Sequence, residues 1–147
     1  MGQKTVLIVD DEKGFVEPLE DALSYEGHKV LKASTAEEAL SILARTAVNL
    51  VTIDIMMPQG KALEKTIPDS HRTGIYLCKT IKQKYPQIDI FCLSVISNTE
   101  TIREIEAMGI RFLRKGEIPL GTVLTLISSK LTGIAYSTSW KDTNTRR

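Results

Sequence analysis

The feature that most constrains the fold is a regular alternation of short apolar segments with longer amphipathic ones. Five segments of four to six residues have the composition of buried strands: Lys4–Val9, His28–Ala33, Asn49–Ile53, Ile88–Leu93 and Ile110–Leu113. Between and after them, helical spacing of apolar residues predicts helices at Gly14–Glu26, behind Thr35, at Gly74–Tyr85, at Asn98–Met108 and at Ile118–Leu131. Short apolar strands separated by helices predict an α/β fold with a parallel sheet covered on both faces.

Local signals mark the ends of these helices. Thr35, followed three residues later by Glu38, has the form of a capping box, in which each side chain bonds to a backbone N–H group near the helix start. Gly27, Pro86 and Gly133 stand where three of the helices are predicted to end.

The overall composition argues against several classes of function. A net charge of +1 gives no reason to expect nucleic acid or an anionic membrane as a direct partner. No apolar run has the length of a membrane span, and the first strand begins too early to leave room for a signal peptide. Cys78 and Cys92 lie in apolar segments without metal-ligand spacing, which indicates reduced core thiols. We therefore expect a cytoplasmic protein.

Chemically capable side chains follow four of the five predicted strands. The first strand is followed by Asp10 and Asp11, the third by Asp54, the fourth by Ser94 and the fifth by Lys115. Parallel strands end at one edge of their sheet, which is where open α/β sheets bind their ligands. If strands one, three, four and five are neighbours, these side chains share one pocket.

The charges of this pocket demand a counterion. Three carboxylates and one ammonium leave a formal charge of −2, and two like charges about 4 Å apart cost roughly 4 kcal/mol at an effective dielectric constant near 20. A hard divalent cation with oxygen ligands, such as Mg²⁺, cancels this charge. Asp54 can also attack phosphorus to form an aspartyl phosphate, whose oxygens Lys115 and Ser94 would stabilise.

Four segments, VLIVDDE, TIDIMMP, FCLS and FLRKG, resemble in sequence and order the motifs of the receiver domain of two-component response regulators. The resemblance covers about residues 4–132 and points to a single-domain, chemotaxis-regulator-like member. It implies a flavodoxin-like doubly wound fold, in which a five-stranded parallel sheet of order 2-1-3-4-5 is covered by five helices. It also implies a receiver domain over residues 1–133. The polar composition of residues 134–147 predicts a flexible tail.

The resemblance assigns a role to each acid. Asp54 would be the phosphoacceptor, which receives a phosphoryl group from a sensor histidine kinase or a phosphotransfer protein. Asp11, Asp54 and the backbone carbonyl of Met56 would ligate Mg²⁺, with Asp10 acting through a bound water. Such a chain is not an enzyme towards other substrates, since its only chemistry is Mg²⁺-dependent phosphorylation and dephosphorylation of itself.

The resemblance also assigns the residues that read the phosphorylated state. Ser94 and Lys115 would contact the phosphoryl group, and Phe112 matches an aromatic position that swings between outward and inward. The signal would leave through a protein–protein contact, with a downstream target or a second copy of the chain, on the surface of the fourth helix, fifth strand and fifth helix.

The pattern of the last helix supports the same surface. Leu120, Leu124, Ile127 and Leu131 form a stripe that is predicted to face the sheet. Two further apolar residues, Val123 and Leu126, lie off this stripe. The helix carries a single charged residue, Lys130. An outer face with so little charge is typical of a docking surface.

The sequence departs from the family pattern in four places. Gly116 stands where a proline usually follows the lysine, which puts the usual cis peptide bond in doubt. Val95 follows Ser94 where a small residue is preferred, so we expect it to crowd the entry of the phosphoryl group. Met56 and Ile96 occupy rim positions that are often polar. Residues 59–73, QGKALEKTIPDSHRT, form an insertion about twelve residues longer than the family's connection.

The insertion allows three hypotheses. It is tethered beside Asp54 and carries a net charge of +1, and Gly60 and Pro68 break any long helix, although Ala62–Ile67 has room for one or two turns. It would act as a lid that lengthens the lifetime of the acyl phosphate by excluding water. It would alternatively form a surface that recognises a particular kinase, or be an inert loop.

Two other functions compete with the phosphorylated receiver. The first is a phosphorylation-independent pseudo-receiver that acts as a binding scaffold, which Val95 and the insertion weakly favour. The second is a phosphohydrolase of the haloacid-dehalogenase type, which also uses a nucleophilic Asp, Mg²⁺ and a Lys. That family needs an acid two residues after the nucleophile, where this chain has Met56.

Overall fold

The computed structural model describes residues 3–67, 69, 72–96 and 98–133. The strands are β1 (Thr5–Val9), β2 (Lys29–Ala33), β3 (Leu50–Ile53), β4 (Asp89–Ser94) and β5 (Arg111–Arg114). The helices are α1 (Lys13–Tyr25), α2 (Ala36–Arg45), α3 (Thr73–Lys84), α4 (Thr99–Glu106) and α5 (Leu120–Thr132), with a short 3₁₀ turn at Lys61–Leu63. All ten predicted elements are present among the described residues, and the predicted tail at 134–147 lies outside them.

The five strands form one parallel sheet with the order β2-β1-β3-β4-β5. This confirms the predicted doubly wound arrangement. The register pairs Val9 with Ile53 and Ile53 with Cys92. Strands β1 and β3 therefore end level with each other, and the residues that follow them leave the sheet side by side.

Helices cover both faces of the sheet. One core cluster lies between the sheet and helices α2, α3 and α4, and it includes Leu43, Ile75 and Ile105. The other lies between the sheet and helices α1 and α5, and it includes Leu19 and Ile127. Burial on two faces explains why β1 is apolar from Val6 to Val9, and why β3 is buried at every position, Thr52 included, rather than showing an alternating pattern.

The start of α2 forms the predicted capping interaction in a slightly shifted form. The backbone N–H of Glu38 donates to Thr35 Oγ1 at 3.1 Å, as expected of a capping box. The Glu38 carboxylate accepts from the backbone N–H of Ser34 at 2.8 Å, one residue before the expected partner. At the other end of the chain, Gly133 ends α5 in the left-handed conformation with φ +75°, as predicted.

The predicted inward stripe of α5 packs on the core, but it omits one core residue, Val123. Val123 is only 1% exposed and shares the buried face with Ile127 and Leu131, whereas Leu120 and Leu124 are half-buried. Val123, Ile127 and Leu131 follow one another at four-residue spacing, which places them on the same face of a helix. Val123 is therefore a core residue and is not part of a docking surface.

The first part of the insertion is attached to the start of α2. The backbone N–H groups of Ala36 and Glu37 donate to the carbonyl oxygens of Pro58 and Gln59, at 3.1 and 2.9 Å. The Glu37 carboxylate in turn accepts from the backbone N–H of Ala62 at 3.1 Å. These bonds satisfy N–H groups that a helix leaves unpaired in its first turn, so the insertion and α2 stabilise each other.

The far end of the insertion is attached to α4. The Arg72 guanidinium makes a two-pronged ion pair with Glu104, with distances of 3.1 and 2.9 Å, and Lys79 Nζ lies 3.1 Å from the same carboxylate. The hydrogen bond from Arg72 holds the pKa of Glu104 below its usual value. Between the two attachments, Ile67 is 3% exposed and anchors the segment to the protein.

Gly74 provides a test of how closely α3 approaches the end of β3. A Cβ atom at this position would lie 2.4 Å from the Cα atom of Ile55 and 2.8 Å from the carbonyl oxygen of Asp54. Gly74→Ala is therefore expected to lower the free energy of unfolding by about 1–3 kcal/mol or more, because backbone atoms must shift. Denaturant unfolding measures the change.

The matched control for this prediction is Gly121→Ala. A Cβ atom at Gly121, in helix α5, would meet nothing within 4 Å. That substitution is expected to be neutral or to stabilise by up to about 1 kcal/mol, since alanine is the better helix former. Equal stabilities of the two variants would contradict the close approach of α3 to Ile55.

Candidate functional site

Asp10 and Asp54 are positioned by the sheet itself. The backbone N–H of Asp10 donates to Ala33 O at 2.9 Å, and that of Asp54 donates to Val9 O at 3.0 Å. Both residues therefore extend the ladder by one residue beyond β1 and β3. Their side chains leave the carboxyl edge of the sheet next to each other, and the two residues are only 6% and 7% exposed.

In each of these two carboxylates, the two oxygens have different partners. Asp10 Oδ1 accepts from the backbone N–H of Glu12 at 2.9 Å, and Asp54 Oδ1 accepts from that of Met56 at 3.1 Å. These bonds fix the two loops that follow the strands. The remaining oxygens of both carboxylates, Oδ2, contact the Lys115 ammonium.

Lys115 is the centre of the site. Its Nζ lies 2.6 Å from Asp10 Oδ2, 3.2 Å from Asp54 Oδ2 and 3.1 Å from Glu12 Oε1, and its side chain is 6% exposed. The ammonium also lies 4.6 Å from the centroid of the Phe15 ring, in the range of a cation–π contact. The three N–H bonds of the ammonium thus face three carboxylates.

Burial and charge act in opposite directions on this pair of groups. Burial raises the pKa of Asp10 above its usual value, although the hydrogen bond from Lys115 opposes the rise. Burial alone would lower the pKa of Lys115, but the hydrogen bond to Asp10 and the charge of Asp54 outweigh it, so the pKa of Lys115 is raised. Lys115 is therefore charged at neutral pH.

Asp11 completes a cluster of three acids. One carboxylate oxygen from each of Asp10, Asp11 and Asp54 lies within 4.8 Å of the other two. Asp11 is exposed and makes no hydrogen bond or ion pair within the described part of the chain, so both of its oxygens are available. A compact set of carboxylate oxygens, open to solvent on one side, fits a hard divalent cation such as Mg²⁺.

Ser94 and Lys115 are held together by their backbones. The backbone N–H of Lys115 donates to Ser94 O at 3.0 Å, which extends the pairing of β4 with β5. Ser94 is fully buried, and its Oγ accepts from the backbone N–H of Ile96 at 3.5 Å. Val95, which was expected to crowd the site, is 66% exposed, so its side chain lies mainly in solvent.

The sequence matches one protein family over most of its length. Residues 6–117 match the family described as "Response regulator receiver domain". The chain belongs to this family. The receiver domains of this family are signalling modules of two-component systems, and they interact with histidine kinases and effector domains.

Similar proteins support the assignment. The receiver is 44% identical over 109 residues to a probable transcriptional regulator, ycf27, of Porphyridium aerugineum, and this match covers 73% of the receiver and 40% of that protein. It is 40% identical over 99 residues to the transcriptional regulatory protein YvrH of Bacillus subtilis, covering 67% of the receiver and 36% of YvrH. The receiver thus spans about two fifths of the length of these relatives.

Solved structures share the fold. A CheY-like response regulator receiver domain protein from Methanospirillum hungatei JF-1 superposes with a TM-score of 0.76 at 22% identity, covering 90% of this receiver and 97% of that chain. The signal receiver domain of an HD domain-containing protein from Pseudomonas fluorescens Pf-5 gives a TM-score of 0.75 at 24% identity, covering 90% and 98%.

Within this receiver the connection after Lys115 has its own geometry. No peptide bond in the described ranges is cis, and the chain turns at Gly116 with φ +84°. A glycine adopts this conformation without strain, whereas other residues rarely do. The turn after Lys115 therefore has a different backbone conformation from the one expected with the family's proline.

Two contacts of the site were missed from the sequence. Glu12 and Phe15 both contact the Lys115 ammonium, although neither was assigned a role. The signal for Glu12 was present in the run of three acids, DDE, of which only the first two were interpreted. Phe112, the predicted switch residue, lies half-buried in β5 and packs against the core cluster under α4.

In the part of the chain that the structure describes, no helix is long and apolar enough to cross a membrane.

Proposed function

We propose that this receiver accepts a phosphoryl group on Asp54 from a phosphohistidine of a sensor histidine kinase or phosphotransfer protein, and signals through protein contact. The observation that carries the proposal is the single pocket in which Asp54 lies beside Lys115 and the other two acids. Free, buried Cys78 and Cys92 support a reducing, cytoplasmic location.

The transfer step is a substitution at phosphorus. A carboxylate oxygen of Asp54 forms the new O–P bond while the P–N bond to the donor imidazole breaks, and the imidazole nitrogen keeps the electron pair and takes up a proton. The product is an acyl phosphate. The distance of 3.2 Å between Lys115 Nζ and Asp54 Oδ2 supports Lys115 as the proposed donor to a phosphoryl oxygen, and the Ser94 hydroxyl is the proposed second donor.

Asp10, Asp11 and Asp54, together with the backbone carbonyl of Met56, are the proposed holders of Mg²⁺. The ion would supply positive charge next to the phosphoryl oxygens, which carry the negative charge of the transition state. The ligand set is supported by the proximity of the three carboxylates. The roles of Ser94 and Phe112 as switch residues belong to the same proposal.

Phosphorylation by a small donor tests the proposal. The protein is incubated with Mg²⁺ and acetyl phosphate, and its intact mass is measured. One phosphoryl adduct is expected with Mg²⁺ and none with a chelator, and the adduct should be released by hydroxylamine, as expected of an acyl phosphate. Peptide mapping should place it on Asp54.

The same experiment separates the competing functions. No adduct under any condition would identify a pseudo-receiver, against which the complete set of acids and Lys115 argues. Steady release of phosphate from many phosphoesters would identify a phosphohydrolase. Met56 argues against that outcome, since its thioether cannot act as the general acid that such an enzyme needs two residues after the nucleophile.

The proposed output surface consists of α4, β5 and α5. A depression of about 480 Å³ on this surface is lined by Phe112, Ile118 and charged neighbours. A downstream protein or a second copy of the chain would dock there. Sedimentation before and after phosphorylation tests the second possibility, and an unchanged monomer would exclude a phosphorylation-dependent dimer.

The insertion supplies a further prediction. Its hydrogen bonds to α2 and the ion pair of Arg72 with α4 favour a fixed surface element over a mobile lid. Replacing residues 61–71 by a short linker, while keeping Pro58 to Gly60, is expected to leave the rate of phosphate loss from Asp54 unchanged. Mass spectrometry after removal of the donor measures this rate.

The opposite result would identify a lid, since a lid excludes the water that hydrolyses the acyl phosphate. An unchanged rate leaves a docking element or an inert loop. These two separate when phosphoryl transfer is measured from a phosphorylated histidine phosphotransfer protein, which should be slower only if the insertion is a docking element. The melting temperature of the shortened chain controls for misfolding.

A further inference from the structure

Glu12 is a charged residue that contacts the site but has no role in the proposed phosphoryl transfer. It is the third acid of the DDE run, and it lies outside the cluster of Asp10, Asp11 and Asp54. Its carboxylate lies 3.1 Å from Lys115 Nζ, and its side chain is 60% exposed. The side chain makes no capping bond to α1, whose start it precedes, so its described interaction is with the ammonium.

The three contacts of Lys115 differ in how easily they are given up. Asp10 is buried and its pairing distance is the shortest, 2.6 Å, and Asp54 is the proposed site of phosphorylation. Glu12 is the exposed partner, so water can replace the ammonium around its carboxylate at little cost. An ammonium has three N–H bonds, and all three face carboxylates before any phosphoryl group arrives.

We propose that Glu12 is a positioning residue, which pairs with Lys115 in the unphosphorylated chain and gives up this contact when a phosphoryl group binds Lys115. This inference rests on the proposed function. In the unphosphorylated chain Glu12 occupies one N–H bond of the ammonium. On phosphorylation of Asp54 that bond turns to a phosphoryl oxygen, and Glu12 becomes solvated. Glu12 therefore competes with the phosphoryl group for Lys115, which slows phosphorylation and favours the unphosphorylated state.

Removing the charge of Glu12 should accelerate phosphorylation. Exposed ion pairs contribute modestly, so Glu12→Gln is expected to raise the rate of phosphorylation by acetyl phosphate about 1.5- to 5-fold. The rate is measured by intact mass at saturating Mg²⁺. The fold should not be affected, because the helix start uses the backbone carbonyl of Glu12, which accepts from Phe15 and Val16.

Two further variants separate the contact with Lys115 from the charge alone. Glu12→Asp keeps the charge but is one methylene shorter, so it loses the contact and should also be faster than the native chain. Glu17→Gln removes an exposed charge elsewhere on α1 and should leave the rate unchanged. If Glu12→Asp behaves as the native chain while Glu12→Gln is faster, charge at the pocket mouth alone explains the effect and the proposal is overturned.

A spectroscopic readout tests the contact without phosphorylation. The ¹⁵N signal of the Lys115 ammonium, identified by its loss in Lys115→Arg, should shift in Glu12→Gln and in Glu12→Asp but not in Glu17→Gln. An unshifted signal, or a rate that is unchanged or lower in Glu12→Gln, overturns the proposal. Absence of any adduct on the native chain would instead defeat the proposed function, so the two failures are distinguishable.

Discussion

Asp54→Asn is expected to abolish the phosphoryl adduct formed with Mg²⁺ and acetyl phosphate. The substitution is nearly isosteric, and the amide oxygen can still accept the hydrogen bond that Met56 donates at 3.1 Å in the native chain. A carboxamide is not a competent nucleophile towards phosphorus, however, so the O–P bond cannot form. Lys115 keeps its contacts with Asp10 and Glu12, and the variant should fold.

The control is Asp89→Asn, which makes the same chemical change at the first residue of β4, at the opposite edge of the sheet. This variant should be phosphorylated at the native rate. Intact mass measures both proteins in parallel. A persistent adduct on Asp54→Asn would show that another side chain is the acceptor, and the proposed chemistry of the pocket would then be wrong.

Asp11→Ala is expected to weaken Mg²⁺ binding by at least about 10- to 100-fold, the loss typical of disturbing even the outer ligands of a metal site. Asp10 and Asp54 each give one oxygen to a loop N–H group and the other to Lys115. Of the three acids in the cluster, Asp11 is the one whose oxygens make no hydrogen bond or ion pair among the described residues, so its loss removes the best available ligand. Calorimetric titration with Mg²⁺ measures the affinity.

Asp11→Ala is expected to weaken Mg²⁺ binding, but in the absence of metal it is expected to stabilise the fold. Removing one of three neighbouring carboxylates relieves repulsion, so the melting temperature in a chelator is expected to rise. Asp21→Ala, on the exposed side of α1, is the control for a general charge effect and should change neither quantity appreciably. Unchanged Mg²⁺ affinity in Asp11→Ala would refute the assignment of the three acids as a metal site.

The site was more predictable than its surroundings because the edge of a parallel sheet collects whatever follows the strands. Knowing that Asp10, Asp54 and Lys115 come directly after strands was enough to bring them together. The run of three acids places Glu12 near the pocket, but its contact with the ammonium depends on how α1 leaves the sheet. The contact joins residues 103 positions apart.

The errors arise where the local pattern does not decide a contact. Val123 is misassigned from the sequence because apolar residues lie on more than one side of α5, so their spacing alone does not show which side faces the sheet. The insertion has neither strand nor helix periodicity, so nothing in residues 59–73 indicated that Pro58 and Gln59 would pair with the first turn of α2. Such contacts join segments far apart in the chain and leave no local pattern.

The strand order has a consequence for the order in which the pocket is assembled. Strand β1 lies between β2 and β3, so both of its partners are contained in the first 53 residues. The acids at positions 10, 11 and 54 follow strands of this first group, whereas Lys115 follows β5, the edge strand that pairs only with β4. Whenever β5 is not in place, the neighbouring carboxylates repel one another without the compensating ammonium. Completion of the pocket is therefore tied to pairing of the last strand, which supplies its permanent positive charge.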